Sequence, residues 1–232
     1  MTEKPELPPV SVGSLNWARR HKRDGYQAIL SLKDPEDRKT WLKFTENPRP
    51  KHLTIPFADV ERVLYRNGKP HQPLDLRAPT VEQVQQGLDF LRGQRPVLIH
   101  CRAGVSRSTA MALGHILDSI LHIEPDGVSE QNAMTPDQLA VSRLFNAVPH
   151  AVPNKLVVWH ADVILQRGGA LFEALVQFEA ENLPGNDNLR QAGWEAHLVA
   201  AGIPKSEWEN SEFLVPYRNM STEKSSSPKL SI

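Results

Sequence analysis

Cysteine is nearly missing from this chain. The 232 residues hold one, at position 101, so no internal disulfide can form, and a reducing compartment, the cytoplasm, is the expectation. An excess of either charge is missing too. The 27 Lys and Arg are matched by 27 Asp and Glu, and a net charge of +0 creates no field that would select nucleic acid or an anionic membrane. No apolar run approaches the ~20 residues of a membrane-spanning helix, and the start, Met1-Thr2-Glu3-Lys4-Pro5, is polar rather than signal-like. Internal repeats are absent as well. Together these absences exclude a disulfide scaffold, a membrane bundle and a solenoid, and leave a soluble globular protein. Its 232 residues suffice for one good core, or one domain plus an appendage.

The single cysteine sits where chemistry would need it. Pro96-Val97-Leu98-Ile99 is a short apolar run that reads as a buried strand, and residues 106–121 have helical spacing. Between them runs His100-Cys101-Arg102-Ala103-Gly104-Val105-Ser106-Arg107-Ser108. A loop that turns from a strand into a helix N-terminus aims successive N–H groups at one centre, and the helix dipole adds positive potential there. Such a place favours an anion or an ionised sulfur. Arg107 adds a planar fork that can grip two phosphoryl oxygens at once. Gly104 lets the loop turn tightly, and Ser108 can donate a hydroxyl hydrogen bond to the sulfur.

This stretch resembles the His-Cys-five residues-Arg-Ser/Thr signature of the cysteine-dependent protein tyrosine and dual-specificity phosphatases. It is most similar to the loop HC-x-AG-[IV]-SRSTA of small bacterial members. His, Cys, Gly, Arg and Ser at these offsets arise by chance at about one position in a million, so the signal is specific. The competing reading of a lone cysteine, a buried structural residue at a strand end, is the weaker one here. The resemblance covers roughly residues 10–175 and implies a cysteinyl-phosphate mechanism. Cys101 would be the nucleophile, residues 102–107 (Arg102, Ala103, Gly104, Val105, Ser106 and Arg107) the phosphate cradle, and His100 and Ser108 supporting groups. It implies no metal and no cofactor. His100 is expected to hold the loop backbone rather than to act as a base.

The rest of the pattern predicts an α/β fold: a mostly parallel central sheet flanked by helices, a phosphatase-like sandwich, with a helical C-terminal half. Strands are predicted over 10–15, 26–32, 52–57 and 95–100. Helices are predicted over 17–23, from Pro79 as first helical residue, from Pro136 after a Thr135 cap to about 147, from Lys155 after an Asn154 cap to about 166, over 171–180 and over 189–201. In organisation, 1–9 reads as a flexible lead, 10–182 as the phosphatase domain, 183–218 as a C-terminal extension opened by the turn-rich 183–188, and 219–232 as a disordered tail.

A thiolate that attacks a phosphate ester must expel an alkoxide or phenoxide, and a nearby carboxylic acid can protonate it. Two residues compete for this role. Asp59 follows the strand that ends in Phe57-Ala58, resembles a Phe-x-Asp-Ile/Val stretch of the bacterial members, and belongs on the strand-end rim that also holds Cys101. Asp75 lies nearer in sequence, 26 residues before Cys101. Asp59 is preferred, and it requires an insertion over 62–73. The basic run 19–23 is expected to be a solvated helix face, and Trp41, Trp159, Trp194 and Trp208 packing residues. His115 and His122 lack partners at metal-ligand spacing.

The expected activity is phosphomonoester hydrolysis on a phosphorylated protein or peptide, with no nucleic-acid or membrane partner. Phosphoinositides and RNA 5′-triphosphate remain alternatives within the same mechanism, although residues 102–106 hold no lysine. A phosphate-binding pseudophosphatase and a sulfur-transfer enzyme are the rivals from other classes. The chain is too short to carry the extra loops of large tyrosine phosphatases, which predicts a shallow site.

Overall fold

Val97–Cys101 is buried along its whole length. A strand covered on both faces belongs in the middle of a parallel sheet. It lies there in the computed structural model, which describes residues 9–21, 23, 25–37, 42–45, 48–67, 69–71, 73, 76–122 and 134–214. The lead 1–8, Trp41, Asp75 and the tail 219–232 lie outside the described residues.

The first half of the chain runs β1 (Val10–Ser14), α1 (Leu15–Arg20), β2 (Ala28–Lys33), β3 (Lys51–Pro56), β4 (Arg62–Arg66), β5 (Lys69–His71), α2 (Val81–Leu91) and β6 (Val97–Cys101). Then follow α3 (Arg107–His122), α4 (Pro136–Ala147), α5 (Lys155–Ile164), α6 (Ala170–Asn182), α7 (Asn186–Ala200), a 3-10 turn over Lys205–Asn210 and β7 (Ser211–Phe213). The main sheet has the order β1-β6-β2-β3, parallel throughout. This is the α/β sandwich expected from the alternation of strands and helices.

Side chains alternate across β6, as the period of two requires. Val97, Ile99 and Cys101 join the large core under the helices, whereas Leu98 joins the small cluster of Ala18, Tyr26, Ile29 and Leu42 on the other face. Residues beyond 183 take part in the large core as well, through Trp194, Leu198 and Ile203. Among the described residues no helix is long and apolar enough to cross a membrane.

Several expectations shift in detail. Helix α1 begins at Leu15, before the expected residue 17, because the Ser14 side chain accepts the Trp17 N–H and opens the helix there. Pro79 is not the first residue of α2. Thr80 caps that helix, in a reciprocal pair with Gln83, so Pro79 stays outside. Thr135 and Asn154 cap α4 and α5 as their sequences suggest. Arg23, expected in a solvated face, is buried, with its guanidinium on the Lys43 carbonyl and over the Phe44 ring. The insertion over 62–73 contains the β4 and β5 strands, and β7 adds to the free side of β4 to give a small antiparallel sheet.

Candidate active site

In an open parallel sheet, functional groups collect where the strands end. β6 delivers Cys101 there, the turn after β2 delivers Asp34, and the turn after β3 delivers Asp59. Residues 102–106 fold into a tight loop, and α3 starts at Arg107.

The loop is pinned from outside. The Arg102 carbonyl accepts the Leu15 N–H at 3.1 Å, and the Val105 carbonyl accepts the Val152 N–H at 2.9 Å. The Thr109 hydroxyl reaches the Val105 and Ser106 carbonyls at 2.6 and 2.7 Å. Gly104 is the tightest point. Its φ is +80°, and a Cβ there would stand 2.5 Å from the Gly13 carbonyl carbon and the Ser14 nitrogen, at the end of β1. Only glycine fits this approach.

Cys101 is buried, and its sulfur receives the Gly104 N–H at 3.2 Å, with the Ser108 hydroxyl also at 3.2 Å. Arg107 is buried beside it. One guanidinium nitrogen, Nη1, donates to the Phe57 carbonyl and to Asp34, both at 2.8 Å. Burial works against its charge, but Asp59, Cys101 and Asp34 together hold it protonated more firmly than usual. Its Nε is buried and has no hydrogen-bond partner among the described residues. The nearest carboxylate oxygen, Asp59 Oδ2, is 3.9 Å away. A buried donor of this kind calls for an acceptor, and the Nε–H is left for an oxyanion.

Asp59 is fixed through its other oxygen. Oδ1 accepts the Ser106 hydroxyl at 2.7 Å and the Asn154 amide at 3.0 Å, while the same Asn154 caps α5 through Oδ1 to the Val157 N–H. The cap of one helix therefore orients the carboxylate and leaves Oδ2 facing Arg107.

His100 turns away from the sulfur, as alternation along β6 demands. Its Nε2 lies 2.7 Å from the Ser31 hydroxyl, which is also 2.8 Å from His52 Nε2. A hydroxyl has one proton to give, so it donates to one ring and accepts from the other. Burial holds His100 down at about 4, so the ring is neutral and structural at physiological pH. His115 is likewise buried in α3 and pushed down to about 4, and His122 lies exposed at the end of that helix against Asp118.

The structure thus brings Cys101, Arg107, Asp59, Ser108 and the loop residues 102–106 together and sets His100 behind them. Sequence reasoning missed Asp34, Ser31 and the link from Asn154 to Asp59. Asp34 was legible only as the residue that ends a strand on the same sheet edge. Arg102, largely exposed, pairs with Asp34 at 3.0 Å, so one carboxylate holds both loop arginines.

A cavity of about 660 Å³ opens beside the loop, with Asp59, Ala103, Val105 and Ser106 on one side and α7 and β7 on the other. Glu61, at its base, accepts the Lys155 N–H and lies 3.6 Å from Arg190. Burial pushes Glu61 up to about 7 against the pull of Arg190.

No family model and no curated protein matches the sequence. Solved structures similar in fold include the human tyrosine phosphatase-like serine/threonine/tyrosine-interacting protein, at 16% identity and TM-score 0.44, over 69% of this chain and 93% of that one. The Yvh1 phosphatase domain from Chaetomium thermophilum, at 19% identity and TM-score 0.44, covers 73% of this chain and 96% of its own. PTPMT1, solved in complex with PI(5)P, is 16% identical at TM-score 0.42, over 68% of this chain and 94% of that one.

Proposed function

We propose that this chain is a phosphomonoester hydrolase that works through a cysteinyl-phosphate intermediate on a phosphorylated protein or peptide. The observation that carries the reading is the buried Arg107 Nε without a hydrogen-bond partner among the described residues, beside a sulfur that already receives an amide and lies within hydrogen-bond distance of a hydroxyl.

The substrate phosphoryl group lies in the loop, its three non-bridging oxygens shared between Arg107 and loop N–H groups. The Cys101 thiolate forms the S–P bond as the P–O bond of the ester breaks. Asp59 gives its proton to the departing oxygen. In the second step a water gives a proton back to Asp59 and its oxygen attacks phosphorus, the S–P bond breaks, and orthophosphate leaves. The Gly104 N–H and the Ser108 hydroxyl take up the charge that returns to sulfur in that step.

The test is release of phosphate from p-nitrophenyl phosphate and from a phosphotyrosine peptide, with chelator present and Cys101→Ser as the blank. Cys101-dependent release supports the hydrolase. Phosphopeptide binding without release points to the pseudophosphatase, and thiosulfate turnover to the sulfur-transfer enzyme. Asp59→Asn should lower kcat by about 10²–10⁴ with a small change in KM. A kcat unchanged in that variant removes Asp59 from the proton role.

A further inference from the structure

The cavity beside the loop shares Asp59, Ala103, Val105 and Ser106 with the site, so it adjoins a phosphate bound in the loop and can receive the group esterified to it. Its far wall is made by Leu189, Gly193 and Trp194 of α7 and Phe213 of β7. The charged groups at its base are occupied with one another. Lys155 lies 2.7 Å from Asp187, and Arg190 bonds to Glu179 and to Asp187 and approaches Glu61 at 3.6 Å. Further phosphates on a ligand would meet cations already paired with carboxylates. An apolar body would meet Val60, Val105, Leu189, Trp194 and Phe213. A volume of about 660 Å³ exceeds what one phenyl ring fills and lies within the ~300–1,000 Å³ of ligand pockets.

Resting on the hydrolase reading for its phosphate end, we infer that α7 and β7 are the specificity wall of this site and select monophosphates with an extended apolar body, larger than a single ring. Arg62 braces that wall. Its guanidinium donates to Gln191 of α7 at 2.8 Å and stacks 3.9 Å from the Phe213 ring, while its backbone pairs with Phe213 across β4 and β7. One residue after Glu61 thus ties the acid-bearing turn to both wall elements.

Binding to Cys101→Ser protein tests this without requiring turnover. Biphenyl-4-yl phosphate should bind about ten- to a hundredfold tighter than phenyl phosphate, the margin that burying a second ring gives. Gly193→Phe, added to that protein, should abolish the margin by filling the cavity. A Cβ at Gly193 meets nothing within 4 Å, and the change favours the helix, so the fold is retained. Leu189→Ser, at a position 59% exposed, should reduce the margin by removing wall. A margin that is absent, or that survives Gly193→Phe, overturns the inference. A wild type that releases no phosphate while the margin responds to both substitutions overturns the reaction and leaves the wall standing.

Discussion

Gly104→Ala is the sharpest perturbation of the cradle, because the molecule supplies its own control. Gly104 and Gly168 both have positive φ, +80° and +63°, so alanine at either position carries left-handed strain of about 1–2 kcal/mol. At Gly168 nothing stands within 4 Å of the new Cβ, and that strain is the whole cost. At Gly104 the Cβ would be 2.5 Å from two backbone atoms, against an ordinary contact of 3.4 Å or more. Those atoms cannot swing aside, since Ser14 pairs with Cys101 in the sheet. The loop must give by nearly an ångström. That rupture takes the Leu15 N–H bond to Arg102 and the Gly104 N–H bond to sulfur with it, about 1–2 kcal/mol together. Gly104→Ala should therefore lose about 2–4 kcal/mol in urea unfolding, roughly 1–2 more than Gly168→Ala. Loss of one preorganised donor should lower phosphate release by about 10²–10³. If the two variants unfold alike and Gly104→Ala keeps its turnover, the loop is not held against β1 and the reasoning fails.

Two further outcomes follow from buried carboxylates. Burial lifts Glu61 from 4.5 to about 7, so its stabilising contribution is complete below about 4.5 and is lost as pH rises through about 7. Relative to Glu61→Gln, the wild type should lose about 3 kcal/mol of unfolding free energy between pH 4 and pH 8, and parallel stability curves would refute the burial argument. Asp162 of α5 accepts the N–H groups of Gly169, Leu171 and Phe172 at 2.7, 2.8 and 3.2 Å, capping α6, whose own Gly169 offers no side chain. Asp162→Ala should cost about 3 kcal/mol, roughly 6–12 °C in Tm by calorimetry, and a Tm within a degree of wild type sinks the capping role.

What the sequence disclosed is what depends on neighbours along the chain. Thr135-Pro136 and Asn154-Lys155 announce helix starts because caps act within three residues, and His100 to Ser108 announces the loop because all of its parts are consecutive. Asp59 was legible from its place at a strand end, a regularity of open parallel sheets. Asp34 was not, because its meaning comes from two arginines far along the chain. The Asn154 amide was read only as a cap, since nothing local says that its second hydrogen-bonding atom points at residue 59. β7 could not be read either. Three residues carry too little periodicity, and Ser211–Phe213 is a strand only because β4 offers a free edge. The β7 side of the cavity beside the loop is built from such non-local pairings.

The strand carrying Cys101 sits between β1 and β2, both made long before it. During synthesis these two flanks wait with an open slot until Val97 can pair with Val10 on one side and Ala28 on the other. Such late, long-range insertion is slow compared with helix formation. On the proposed mechanism, a fragment that stops short of this insertion would lack the cradle around Cys101, and one that stops short of Asn154 would lack the amide that orients Asp59, so activity would wait for both.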